Sequence, residues 1–161
     1  MFYFELENRN SNLHGAGLYA LERIPQRSIV FYWGRDGDET VISEDEYLQL
    51  RATRSDKIFQ KSACRWVYDK FVYSTTLEVD DNINHSFDPN ILYYQGLGIA
   101  KRDILIGDEL TVNYEYILSE NDTVKFMDKE TNKTVTGISA DSNLDKSSKE
   151  LSNLLNSHPV M

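Results

Sequence analysis

The 161-residue sequence predicts a mainly β domain with short helices, on three observations. Apolar and β-branched residues come in short runs separated by Gly, Pro, Asn and Asp, the punctuation of strands and turns. Only two stretches carry a helical signature. A Gln95-Gly96 pair between two apolar runs reads as a hairpin turn.

In order along the chain, residues 2–7 alternate aromatic and acidic side chains and read as a strand, and Asn8 to Asn12 as a polar turn. His14-Gly15-Ala16-Gly17 leads into the apolar Leu18-Tyr19-Ala20. Two glycines one residue apart let backbone approach another group with no Cβ between, although a plain tight turn explains them as well. Ile24 to Ser28 is a turn around Pro25, and Ile29 to Trp33 a buried strand ended by Gly34. Ser43-Glu44-Asp45-Glu46 is a capping box that starts a helix ending near Arg54. Residues 57–60, 65–68, 70–73 and 77–79 are strand-like pieces rich in Phe, Val, Tyr and Thr.

Asn84-His85-Ser86 reads as a polar turn closed by Pro89-Asn90, because Pro fixes its own φ and pushes the preceding residue out of the helical region. Residues 91–94 and 97–101 flank the Gln95-Gly96 turn, and Glu109 to Tyr114 alternates as a further strand. Beyond Ile117 the chain turns polar. Residues 125–127 and 134–136 suit a small hairpin. Leu144, Leu151, Leu154 and Leu155 recur at helical spacing behind Ser142, which predicts a helix over 143–156. The chain thus divides into a domain over 1–117 and a polar extension over 118–161.

Hydrophobic content of 40% and charged content of 27% are ordinary for a soluble globular domain. No apolar run approaches the roughly 20 residues that span a bilayer, and Met1-Phe2-Tyr3-Phe4 lacks the features of a signal peptide. Cys64, the single cysteine, cannot form an internal disulfide, which suits a reducing compartment; the expected location is intracellular, cytoplasm or nucleus. Net charge is −9 and the basic residues are scattered, so neither direct nucleic-acid binding nor membrane association is expected. The acids cluster at Asp36, Asp38, Glu39, Glu44, Asp45 and Glu46, and again at Asp80-Asp81. Such clusters are either a solvated face or a surface that steers a basic partner.

Several chemistries are excluded by spacing. His14, His85 and His158 lie far apart and Cys64 is alone, so no metal site is expected. No Gly-x-Ser-x-Gly elbow occurs, and Gly34 and Gly37 do not open a phosphate-binding loop. What remains is the Gly-x-Gly loop, the Asn-His-Ser segment and the strand ending on Tyr114. On residue chemistry alone, the last two either meet at one site or serve as a β-turn and a core aromatic.

The motifs Gly15-Ala16-Gly17-Leu18-Tyr19-Ala20, Asn84-His85-Ser86-x-x-Pro89-Asn90 and Gly107-Asp108-Glu109-Leu110-Thr111-x-x-Tyr114, in this order, resemble the SET domain of protein lysine methyltransferases. The resemblance covers roughly residues 2–117. It implies a β-fold of several small sheets whose C-terminal motif threads under a loop, pseudoknot-like. It implies S-adenosylmethionine as cofactor, with Gly15, Ala16 and Gly17 at its methionine part, Asn84 and His85 at its adenosyl part, and Tyr114 lining the methyl-transfer site as the catalytic residue. The implied reaction transfers a methyl group to the amine of a lysine in a basic protein segment, such as a histone or histone-like tail. Tyr19, Tyr73 and Tyr116 are expected walls of the substrate channel. The alternative is a SET-like module that has lost turnover and binds a basic peptide.

The sequence departs from the family pattern in three places. Asp81-Asn82 stands where Arg-Phe is usual. Val112 stands where an aromatic often precedes the tyrosine by two. The cysteine-rich zinc module that often follows the domain is absent, as the cysteine count requires.

Overall fold

The computed structural model describes residues 1–33, 39–76 and 82–157, with the backbone alone at 124–126. The strand expected at 77–79, together with Asp36, Asp38, Asp80, Asp81 and His158, lies outside the described residues. The chain is built from small sheets joined by short helices. β1 (Leu6–Asn10) pairs antiparallel with β2 (Ala16–Ala20), Leu6 facing Ala20 and Asn10 facing Ala16. β1 therefore runs through Asn8–Asn10, where the polar residues suggested a turn, because these side chains are exposed and keep their water. Phe2 bridges to Phe31 of β3 (Ile29–Tyr32).

β3 forms a sheet with β8 (Ile91–Tyr94) and β9 (Leu97–Ala100) in the order β3-β9-β8. Gln95 and Gly96, at φ 48° and 87°, make the left-handed turn that matches strand twist. A second sheet orders β4 (Glu39–Ser43), β6 (Lys70–Ser74) and β5 (Cys64–Val67) as β4-β6-β5. Against it pack α1 (Glu44–Thr53), which carries the expected capping box, and α2 (Lys57–Ser62). The strand expected over 57–60 is this helix. Asp56 accepts the Phe59 N–H at 2.9 Å and caps its first turn, and Phe59 is buried against Tyr47 and Tyr73.

β7 (Asn84–His85) pairs in parallel with β10 (Thr111–Val112), so Asn84 and His85 lie on a short strand rather than in a turn. The strand expected to reach Tyr114 stops at Val112. Asn113 accepts the Glu115 N–H at 3.0 Å and starts a 3-10 turn over Tyr114–Tyr116. Segment 107–112 is the threaded piece: Leu110 N–H donates to Leu18 on one side, and Ser86 N–H donates to Val112 on the other. β11 (Thr123–Met127) and β12 (Thr134–Thr136) form a hairpin, followed by α3 (Ala140–Asn156). The cap of α3 is Ser139, not Ser142, whose own N–H donates to Ser139 Oγ at 3.2 Å. No helix among the described residues is long and apolar enough to cross a membrane.

The main core gathers Leu18, Phe31, Ile91, Leu92, Leu110 and Val112 with Leu118 and Val135 from beyond Ile117. A smaller cluster of Ile42, Tyr47, Phe59, Ala63 and Phe71 lies under α1 and α2. Arg65, 1% exposed, joins the parts: its guanidinium donates to the carbonyls of Tyr68, Leu118 and Ile138, lies 3.6 Å from Glu44 and packs over the Phe71 ring. Arg65→Ala would leave these carbonyls unmatched and open a void. It is expected to lower the free energy of unfolding by about 3 kcal/mol, read as a lower urea midpoint, with a smaller loss for Arg65→Met.

Candidate functional site

The site grows from one carboxylate. Glu109 stands just before β10, with its backbone C=O accepting from Asn90 Nδ2 at 2.8 Å. Its side chain accepts from Ser11 Oγ at 2.7 and 2.9 Å, from the Tyr19 hydroxyl at 3.0 Å and from Asn84 Nδ2 at 2.7 Å. The same Asn84 amide donates to the backbone carbonyls of His14 and Ala16, each at 3.0 Å. With two N–H groups and three acceptors it must share a proton, and it fixes the Gly loop from beneath. Gly17 has no room for a side chain, since a Cβ would stand 2.2 Å from Glu109 Oε1. Gly15 differs: its φ of +53° is left-handed, while space beyond its Cα is open.

Tyr114 follows from the 3-10 turn. Its backbone N–H donates to His85 Nδ1 at 3.1 Å, and its hydroxyl donates to the Ile83 carbonyl at 2.6 Å. Burial, with the Glu109 charge adding, pushes the phenol well above its ordinary value, so it stays protonated. Its hydroxyl proton is committed to the Ile83 carbonyl, so toward a substrate the phenol acts as an acceptor and not as a donor.

Gly15, Ala16, Asn84 and Tyr114 border a cavity of 440 Å³. One wall is Gly15, Ala16, Asn84, Val112 and Tyr114; the other is Ala63, Cys64 and Val72 of the β4-β6-β5 region. Trp33 also borders it, with a buried indole N–H that has no hydrogen-bond partner among the described residues. Sequence reasoning passed over Trp33, for which its place at the end of a buried strand beside a glycine was the available signal. It also quoted Glu109 within a motif without giving it a role.

The structure brings Gly15, Ala16, Asn84 and Tyr114 to one cavity. Gly17 lies behind the loop against Glu109, and His85 borders a separate small cavity of 10 Å³. The three expected channel tyrosines do not line the large cavity. Tyr19 bonds to Glu109 from behind the loop, where burial and that bond raise its phenol. Tyr73 alternates with the cavity-lining Val72 and so faces the other side of the sheet, against Phe59 and under Arg54. The Tyr116 hydroxyl donates to Glu150 of α3. The acidic cluster is also partly spent: Glu46 serves the capping box and Glu44 faces Arg65, while Glu39 borders the cavity.

Small sheets joined through a threaded C-terminal segment define a SET-type fold. The SET domain family matches residues 15–115, more than half of the chain, and the chain belongs to that family. The structure is similar to a chain of ctPRC2 in complex with H3K27me3, at 22% identity and a TM-score of 0.55, over 86% of this chain and 17% of that one. It is also similar to a chain of an active polycomb repressive complex 2 in the stimulated state, at 24% identity and a TM-score of 0.57, over 84% and 18%. The present chain thus spans less than a fifth of either, and the likeness is one of fold. No curated protein matches the chain.

The tight seat of Gly17 gives a direct test. Gly17→Ala must displace a carboxylate held by three side chains, which is expected to cost about 1–3 kcal/mol of stability in urea unfolding. Gly15→Ala meets no atom, and its cost of about 1–2 kcal/mol comes from the left-handed backbone alone.

Proposed function

We propose that this chain is an S-adenosylmethionine-dependent protein lysine methyltransferase acting on a lysine in a basic, histone-like segment. One observation carries the reading: a network from Glu109 through Asn84 to the His14 and Ala16 carbonyls holds the Gly loop, and that loop, Asn84 and Tyr114 border one cavity. Residues 1–117 are the SET domain in this reading, and 118–161 an extension to it.

The residues present fit the cofactor. The cavity has the size of a small-molecule site. Its wall at Gly15 is open backbone with no side chain in the way, and the orphan Trp33 indole N–H offers a donor. Gly15, Ala16 and Asn84 would hold it, with His85 one strand position further on. When bound, it supplies an electrophilic methyl group on a sulfonium.

The chain's own part is alignment. The lysine amine must arrive neutral, its proton lost to solvent, and an apolar wall of Ala63, Val72, Val112 and Ile117 favours that form by desolvation. Tyr114 is no base, because its phenol is held protonated. Its oxygen accepts an amine N–H and so aims the nitrogen lone pair along the line of transfer. The N–CH₃ bond forms as the S–CH₃ bond breaks.

Two measurements test this. Saturating S-adenosylmethionine is expected to raise the melting temperature, by the equivalent of about 2.7 kcal/mol at a hundredfold excess over Kd. Incubation with labelled cofactor and basic proteins, with sites read by mass spectrometry, is expected to show methyllysine. A thermal shift without turnover on any basic protein would instead define a binding module. In Tyr114→Phe, kcat is expected to fall roughly ten- to hundredfold while cofactor affinity changes little, the effect of one oriented hydrogen bond lost at the transition state.

A further inference from the structure

His85 touches the large cavity only through its neighbours, yet it is among the most constrained side chains in the molecule. Its side chain is 1% exposed. Phe87 meets its ring edge-on at 4.5 Å, and the Tyr114 ring lies at 5.3 Å. Because Nδ1 accepts the Tyr114 backbone N–H, Nδ1 carries a lone pair and the proton of the neutral ring belongs on Nε2. Nε2 is buried, has no hydrogen-bond partner among the described residues, and lies 3.9 Å from Asp128 Oδ1.

Asp128 lies just past β11, in the extension beyond the motifs. Its side chain is 4% exposed. Oδ2 accepts from Thr131 N–H at 2.7 Å and Thr131 Oγ1 at 2.6 Å, which leaves Oδ1 for His85. Burial raises the carboxyl, but the Thr131 donors, the nearby His85 and the Glu130 backbone together hold it below the ordinary value, so it is charged at neutral pH. A small cavity of 10 Å³ borders both residues.

We propose that Asp128 is a positioning residue of the methyl-transfer site: its carboxylate holds the His85 proton on Nε2, which keeps the Nδ1 lone pair under the Tyr114 backbone N–H and so fixes Tyr114. The inference rests on the reading of Tyr114 given above. The opposite tautomer, or the doubly protonated ring, would set an Nδ1–H donor against the Tyr114 N–H donor.

The other charged groups around the ring come from every neighbouring element. Glu115, in the 3-10 turn, adds negative charge. Glu130 accepts from Ser86 Oγ at 3.4 Å, and Lys129 donates to the Asn12 carbonyl. His14, from the Gly loop, borders the same small cavity. Burial pushes the imidazole below its ordinary value, and Asp128, then Glu115, partly offset this. The neutral ring therefore prevails at neutral pH.

Asp128→Asn keeps an oxygen for Thr131 but can turn an amide N–H₂ toward Nε2. The expected results are a His85 proton that moves to Nδ1, a shifted Tyr114 amide resonance, and a kcat about tenfold lower with peptide KM little changed. The tautomer is read from imidazole ¹⁵N shifts of the full chain. Wild-type His85 is expected to titrate below about 6.5, and lower still in Asp128→Asn, where the imidazolium loses its partner. Thr136→Val, in the same hairpin but away from the Asp128–His85 pair, is expected to leave tautomer, titration and kcat in place.

A wild-type proton on Nδ1, or an Asp128→Asn variant with unchanged tautomer and titration, would overturn the inference. So would a moved tautomer with unchanged kcat. If Asp128→Asn does not fold, the wild-type tautomer still decides. Spectra as expected in a chain that methylates nothing would sink the methyltransferase reading and leave the Asp128–His85 pair standing.

Discussion

The Glu109 carboxylate is the constraint on which the rest of the site depends. It takes hydrogen bonds from Ser11 and Tyr19 of the β1–β2 hairpin and from Asn84 of the threaded pair, two regions far apart in the chain. Bonds to a charged acceptor are worth about 1.5–3 kcal/mol each in favourable settings, more than neutral ones, and a carboxylate so enclosed would be costly without them. Its place explains why position 17 is glycine and why the Asn84 amide can also reach two loop carbonyls. A sheet could have joined these elements by backbone bonds alone. Here the β7–β10 ladder is two residues long, and side chains finish the work.

The same economy governs the region after Ile117. Among the described residues it brings no second core of its own. Leu118, Val135 and Ile138 pack into the core of the motif-bearing part, and Arg65 reaches out to two of its carbonyls. α3 is held at its end by Arg27, whose Nε donates to the Leu154 carbonyl at 2.9 Å. A stretch whose composition reads as a loose polar cover is thus anchored at several buried points, and through Asp128 it reaches the ring of His85.

Much of the fold was legible in the sequence because it follows from local chemistry. The capping box at Ser43 and Glu46, the Gln95-Gly96 hairpin and the strands of 65–74 depend on neighbours in sequence, and they stand as read. The errors arise where a side-chain cap or a tertiary contact overrides strand propensity. Lys57–Gln60 carries strand-forming residues, but a cap from Asp56 and a place against Tyr47 make it a helix. Glu109 to Tyr114 alternates like a strand, but Asn113 turns it. The juxtaposition of Gly15, Asn84 and Tyr114 was legible only through the order of the motifs. Which tyrosines face the cavity was not, because Tyr73 and Val72 differ by a single step of strand alternation that the sequence leaves free.

The threading has a consequence for how the molecule assembles. Ser11 and Glu109 are 98 residues apart, and the segment that carries Glu109 is bonded to β2 on one side and to the β7 region on the other. Closing so long a loop is an entropic loss that comes before any contact rewards it. A nascent chain that has emerged only as far as Asn90 already holds the Gly loop and Asn84, yet lacks the carboxylate that binds them to each other. The cavity wall at the Gly loop is therefore complete only once Glu109 has docked, and a ligand seated there would act as a clasp on the whole domain.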